Sequence, residues 1–160
     1  MSMQKKNSIK RPYGGVEASL RKEDRRKKLI LAGLEVFGTT GYAKSNIRTI
    51  CSQAGLTERY FYESFKHKED LLCAVYNELI EEEKAHAMSI LEDAGIDPYE
   101  AASRSLKVFF HRFEQDPRRA RVQLFEVLGV SPTVDRQYQG AMRILADMMK
   151  RFLLRAFPGI

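Results

Sequence analysis

An all-α fold is what this sequence predicts, and three observations predict it. Apolar residues recur at i, i+3 or i+4, and i+7 in one segment after another. Asp97-Pro98, Asp116-Pro117 and Ser131-Pro132 each set a capping residue directly before a proline suited to the first helical position. No segment alternates with period two, as a half-buried strand would. With 160 residues, 44% of them apolar and 30% charged, the chain is long enough to bury one core and a second small one.

The elements follow in order. Residues 1–20 carry Lys5, Lys6, Lys10 and Arg11 among Pro12, Gly14 and Gly15, show no periodicity, and are expected to form a flexible basic arm. From Arg21 a first helix is predicted; its stripe is Leu29, Ile30, Gly33, Leu34, Val36 and Phe37, and it ends before the turn residues Gly38 to Gly41. A shorter helix follows, with Ser45 or Asn46 as N-cap, Ile47, Ile50, Cys51 and Ala54 on one side, and Gly55 as its stop. Thr57 caps a third helix running to about Phe65. Ala54-Gly55-Leu56-Thr57 between the second and third helices has the length and glycine usage of a helix-turn-helix, which defines a domain over 21–67.

After His67 the pattern returns with Leu71, Leu72, Val75, Tyr76, Leu79 and Ile80 in a long helix to Leu91. A fifth helix starts at Asp97-Pro98, with Glu100 completing a capping box and Ala102, Leu106, Phe109, Phe110 and Phe113 as its apolar face. Two more cover roughly 117–128 and 132–156. Residues 68–160 thus form a second helical domain, and the chain has about seven helices in all.

Charge is distributed unevenly. The net charge is +6, but residues 1–72 hold 15 Lys and Arg against 8 Asp and Glu, whereas residues 73–160 hold 12 against 13. A basic half of this kind points to a polyanion partner. The basic arm lacks an apolar face, which argues against a membrane anchor. No apolar run approaches the roughly 20 residues of a membrane span, and the N-terminus lacks the apolar stretch of a signal peptide, so a cytoplasmic protein is expected. Cys51 and Cys73 lack the paired spacing of a zinc site and are read as reduced packing thiols. His67, His86 and His111 form no metal spacing with them, and neither a phosphate loop nor a nucleophile motif is present. No enzyme, metal or cofactor is therefore expected.

The third helix poses the sharpest question, because Tyr60, Phe61 and Tyr62 stand in a row within the polar stretch LTERYFYESFKHKEDLL. At about 100° per residue, Phe61 and Phe65 fall together on the core side. Arg59, Glu63 and Lys66 lie opposite, and Tyr60 and Tyr62 flank that polar face. In the second helix of a helix-turn-helix this face enters the major groove, where an arginine can donate two hydrogen bonds to guanine and flanking hydroxyls bind phosphate. Arg59 and Glu63, four residues apart, are close enough to pair, so that Glu63 either aims Arg59 at a base or itself accepts from cytosine.

Residues 29–72, LILAGLEVFGTTGYAKSNIRTICSQAGLTERYFYESFKHKEDLL, closely resemble the DNA-binding domain of TetR-type transcriptional regulators. The matching elements are Leu29, Phe37, Gly41-Tyr42, Ile47-Arg48 with Ile50, Ala54-Gly55-Leu56-Thr57, Phe61-Tyr62, Phe65-Lys66 and Lys68-Glu69. The resemblance implies a homodimeric repressor on a palindromic double-stranded DNA operator, nucleoid-associated when bound, with a helical C-terminal domain whose pocket takes a small-molecule effector and releases DNA. By position it implies phosphate-clamping roles for Arg48, Thr57, Tyr62 and Lys68, and base-facing or base-adjacent places for Glu58, Arg59, Tyr60 and Glu63; Lys66 and His67 complete the expected DNA-binding set. Gly33 and Cys51 stand where the family usually has alanine. Because a mid-helix glycine costs about 1 kcal/mol relative to alanine, Gly33 implies unusually close packing of the first helix.

Lys68, Glu69 and Asp70 open the fourth helix, whose first amides, with Lys68, can face a phosphate. The resemblance makes this helix the lever that carries an effector's influence to the DNA-binding domain. For the effector, Phe109, Phe113, Phe125, Met142, Leu145 and Met149 are the candidate apolar lining, with Arg104, His111 and Arg112 as candidate polar anchors and Glu81-Glu82-Glu83 as a solvated face. The family usually continues into two more helices that form a dimer interface; here the chain stops at Pro158-Gly159-Ile160, which implies an abbreviated form or dimerisation through what remains. The rival reading of the same fold is an architectural or nucleoid-associated DNA binder that needs no effector.

Overall fold

The capping residues begin helices where the sequence places them. The Asp97 carboxylate accepts from the amides of Tyr99 and Glu100 at 2.9 and 3.2 Å, Asp116 from that of Arg118 at 3.2 Å, and the Ser131 hydroxyl from that of Val134 at 3.3 Å. In the computed structural model, which describes residues 13–93 and 95–157, seven helices follow one another. They are α1 (Tyr13–Thr39), α2 (Ile47–Ala54), α3 (Glu58–Tyr62), α4 (Lys68–Leu91), α5 (Pro98–Gln115), α6 (Pro117–Arg121, continuing as a π-helical stretch, Val122–Glu126) and α7 (Pro132–Ala156). No strand occurs among the described residues.

Several boundaries differ from expectation, each for a local reason. α1 begins at Tyr13, so residues 13–20 of the expected arm are helical, whereas residues 1–12 lie outside the described residues. The good helix formers Ala18, Leu20, Arg21 and Lys22, and a Glu17–Arg21 ion pair at 3.2 Å one turn apart, outweigh the two glycines that obscured this start. α3 ends at Tyr62, short of Phe65. The amides of Ser64 and Phe65 both donate to the Phe61 carbonyl at 2.9 Å, closing a tight turn that draws Phe65 into the core.

The expected helix over 117–128 is α-helical only to Arg121. Val122 and Val127, five residues apart, are both completely buried, and only the wider π repeat stacks residues at that spacing on one side. On α5 the buried contact is Ala101, while Leu106 and Phe110 of the expected apolar face are more than half exposed. That helix meets α4 through Ala101 against Leu91 and through ion pairs of Arg112.

Two cores result. The larger joins α1 to α4 with the π stretch and the start of α7, around Leu29, Phe37, Phe61, Leu72 and Tyr76; the smaller holds Leu91, Ala101 and Phe152. α4 runs through both. Arg112 against Glu83 and Ala101 against Leu91 set α5 antiparallel to α4. The Gln137 amide bonded to Asn77, with Phe152 against Leu91, sets α7 parallel to α4.

Glycine lets α1 approach its neighbours. A Cβ at Gly33 would lie 2.9 Å from Val75 Cγ2 and 3.1 Å from Leu71 Cδ2, the close α1–α4 packing its presence implies. Gly38, expected in a turn, is inside α1, and a Cβ there would sit 2.8 Å from the Arg118 Cα. Backbone cannot yield as a side chain can. Gly38→Ala should therefore destabilise the protein by about 1–3 kcal/mol, although alanine is the better helix former. Urea unfolding checks this: an unchanged or higher midpoint would show that α1 and α6 do not meet backbone to backbone.

Candidate nucleic-acid interface and cavity

α2 and α3 are joined by a turn that the sequence encodes fully. Asn46 caps α2 by accepting from the Thr49 amide at 2.9 Å. Gly55 takes φ +65° with open space around it, while its amide donates to Ser52 O and that of Leu56 to Cys51 O. This pair of bonds is a Schellman motif, and half-buried Leu56 packs back on the core. Phe61 is fully buried and Phe65 nearly so, their ring centroids 5.6 Å apart, so α3 is held by its underside.

The other side is open. Thr57, Glu58, Arg59, Tyr62, Lys66 and His67 are exposed, with Arg48 of α2 beside them. The Thr57 hydroxyl makes no capping bond and is free to donate outward. Arg59 extends with 86% of its side chain accessible. Tyr62 stands edge-on to Phe61, ring centroids 5.5 Å apart, and is 56% exposed.

Three expected contact residues are engaged within the protein instead. Glu63 accepts from Arg25 of α1 at 3.1 Å, whereas Arg59 Nε stays 3.9 Å away. The carboxylate is thus turned to α1 and does not aim Arg59. The same Arg25 guanidinium lies 4.5 Å over the ring of Tyr60, which is half-buried. Lys68, expected as a phosphate clamp, donates to the carbonyls of Tyr42 and Ser45 at 2.6 and 2.7 Å and lies 4.1 Å over the Tyr42 ring. Burial lowers the Lys68 pKa and, with the charge of Glu69 adding to it, raises that of Tyr42. Ahead of α4, Asp70 accepts from the amides of Lys66 and His67 at 2.9 and 3.3 Å. Arg25 carried no signal in the sequence because it stands on α1, 38 residues from Glu63, and no periodicity signals such a contact.

The second unit reaches the same loop. Glu126 of the π stretch accepts from the Tyr42 amide at 2.6 Å and from Arg121 at 2.8 Å, and Arg121 donates to the Thr39 carbonyl at 2.5 Å. Arg118 bridges Glu35 of α1 and Asp116, and these two carboxylates raise its pKa further. The Arg118 hydrogen bond in turn holds Asp116 below its ordinary value.

Behind this junction α4, α5, the π stretch and α7 line a partly open cavity of about 320 Å³. Phe109, Met142, Leu145 and Met149 line it as expected from the sequence; Phe113 and Phe125 do not. Phe113 packs on Phe109, ring centroids 4.6 Å apart, and Phe125 is two-thirds exposed beside a shallow groove formed by Gly38, Pro117 and Arg121. The expected anchors are absent from the lining. Arg104 and His111 are exposed, and Arg112 is bound to Glu82, Glu83 and His86 at 2.7, 3.1 and 2.7 Å.

Glu83 is not on a solvated face: it is 6% exposed and shared by Arg112 and Arg119. Burial raises the pKa of neighbouring Glu82, but hydrogen bonds and charge from Arg119 and Arg112 outweigh it and leave the carboxyl low. Tyr76 and Gln123 line the cavity unforeseen. Burial, with Tyr138 alongside, pushes the Tyr76 phenol up to about 12, so its proton is held. Tyr76 was legible only as one of an apolar stripe, and Gln123 carried no signal. Among the described residues no three His, Cys, Asp or Glu side chains come together to hold a metal ion, and no helix is long and apolar enough to cross a membrane.

A helix-turn-helix mounted on a helical unit with a pocket defines the class of architecture: a two-unit all-α chain with an open recognition-type helix at one end. Residues 29–75 match the sequence model of the bacterial regulatory proteins, tetR family. The HTH-type transcriptional regulator EthR of Mycolicibacterium smegmatis is 26% identical over 132 residues, covering 82% of this chain and 60% of its own. The HTH-type transcriptional activator FasR of the same organism is 26% identical over 140 residues, 86% of this chain and 64% of its own. The chain thus spans less than two thirds of the length of either. The fatty acid degradation regulator FadR from Bacillus halodurans superposes with a TM-score of 0.75 over 92% of this chain and 70% of its own, at 18% identity.

Replacing Lys68 separates its two possible roles. Lys68→Met should cost about 1–3 kcal/mol in urea unfolding by leaving the Ser45 carbonyl without its ammonium donor and removing one of three donors to the Tyr42 carbonyl. The salt dependence of DNA binding should keep its slope. A slope smaller by about one, with stability intact, would instead mark Lys68 as a phosphate contact.

Proposed function

We propose that this protein is a sequence-specific transcriptional regulator that binds a palindromic double-stranded DNA operator as a homodimer and is released from it by a small apolar or amphipathic effector. The observation that carries this reading is the exposed face of α3, with Arg59 and Tyr62 outward over a buried Phe61 and Phe65. Arg59 is the base-reading residue, with Glu58 beside it, and the face enters the major groove. Thr57, Tyr62, Arg48, Lys66 and His67 hold phosphates. Tyr60 and Glu63 act at one remove, through the Arg25 that fixes them. The cavity receives the effector, and α4 together with the π stretch carries its influence to the loop at Tyr42. Release requires that the effector bind more tightly to the form that does not fit DNA.

The relatives named as regulators support control of transcription, and one named an activator leaves the direction of control to the operator's place at its promoter. This reading makes the protein a cytoplasmic, nucleoid-bound regulator rather than an enzyme.

Selection of bound duplexes from a random pool tests it. A palindrome with half-sites about one helical turn apart, or a multiple of that, is expected; sequence-independent recovery would favour the architectural binder. On the selected site, Arg59→Ala should relax discrimination at one base pair by about 1–3 kcal/mol, and equal loss on every sequence would reduce Arg59 to a phosphate contact. Tyr62→Phe should weaken binding by about 0.5–1.5 kcal/mol with an unchanged melting temperature.

A further inference from the structure

Two hydrogen-bond donors in the cavity wall have no partner among the described residues. The Tyr76 hydroxyl and the Gln123 side-chain nitrogen are both buried and unbonded, in residues 1% and 4% exposed. A buried polar atom left unpaired is costly, and native structures rarely keep one without a reason. Both side chains line the same cavity, whose wall is otherwise largely apolar.

Their position is also informative. Tyr76 is two turns into α4 from its start at the DNA-binding domain, and Gln123 lies between Arg121 and Glu126, the residues that grip Thr39 and Tyr42. Leu91, at the other end of the cavity, is about 22 Å further along α4, and the wall there is built from Ala87, Ile90, Met148 and Met149. The cavity thus sets its two unpaired donors where it meets the helix-turn-helix unit, while the rest of the wall is mainly apolar, with Glu83, His86 and Ser105 among its other polar members.

We infer that the cavity takes an uncharged, mainly apolar molecule carrying a carbonyl group, whose oxygen accepts from the Tyr76 hydroxyl and the Gln123 amide. This rests on the reading of the cavity as the effector site. Both unpaired groups can donate to an acceptor, which an alkane or an ammonium group does not supply. A carboxylate is disfavoured because no lysine or arginine is among the described lining residues, and the other two titratable groups facing it from α4, Glu83 and His86, are both already bound by Arg112. An ester, lactone, ketone or amide on an aliphatic body meets both conditions.

Titration calorimetry with methyl decanoate, decanoate and decane tests this on the wild-type chain and on Tyr76→Phe and Gln123→Leu. Methyl decanoate should bind most tightly. Each substitution should weaken it by about threefold to tenfold while leaving decane unaffected. Tyr76→Phe should keep the wild-type melting temperature or raise it, because it removes an unpaired hydroxyl. Equal affinity for ester and alkane, or ester affinity indifferent to both substitutions, would show that a trapped water satisfies the two donors and overturn the inference. Tightest binding of decanoate would overturn the charge argument. Operator release is measured separately: ester binding with the expected side-chain dependence but no release of DNA upholds the carbonyl site and counts against effector control.

Discussion

The loop between α1 and α2 satisfies only part of its own backbone, and the molecule is arranged around supplying the rest. The Ser45 carbonyl is met by the Lys68 ammonium, which also reinforces the Tyr42 carbonyl already bonded to the Ser45 amide and hydroxyl; the Thr39 carbonyl is met by Arg121 and the Tyr42 amide by Glu126. Unmet, each would cost on the order of 1–3 kcal/mol. Lys68 begins α4, and Arg121 and Glu126 flank the π stretch, so both long elements of the second unit end in bonds to the DNA-binding domain. The two units cannot move independently without exposing these groups.

This junction also explains why α4 serves two cores. Tyr76 packs in the larger core with Phe37 and Leu72 while lining the cavity. A molecule seated against Tyr76 and Gln123 would touch the residues that fix the loop's supports. Small displacements there have a direct mechanical route to α2, because the helix begins one residue after Asn46 and its cap is rigid. The π stretch lies on the same route, with Val122 and Val127 both buried and Gln123 in the cavity wall.

Charge takes on a different meaning once the fold is formed. The basic half of the chain implies a polyanion partner, yet several of its cations work inside the protein. Arg25 is spent on Glu63 and Tyr60, Arg26 on the face of Phe65 at 4.6 Å, and Lys68 on carbonyls. What remains at the α2–α3 surface is Arg48, Arg59 and Lys66, fewer charges than the composition implies, with Arg59 on a helix whose underside Phe61 and Phe65 fix in the core. Precision matters more than number for reading bases, since phosphate attraction carries no sequence information.

The sequence by itself determined what depends on local chemistry. Asn46, Gly55, Asp97 and Ser131 mark helix ends because capping involves neighbours within a few residues, and Phe61 and Phe65 mark the core side of α3 because helical geometry fixes their direction. Four of the six expected cavity residues followed from the apolar stripes of α5 and α7. Only the tertiary structure decided which charges are free. Glu63 reads as a surface residue until Arg25, 38 positions away, takes it; Glu83 reads as solvated until Arg112 and Arg119 bury it; Gly38 reads as a turn until Arg118 presses against it. Each of these reversals comes from a contact between residues distant in the chain, and pairings of that kind leave no periodic trace in a single sequence.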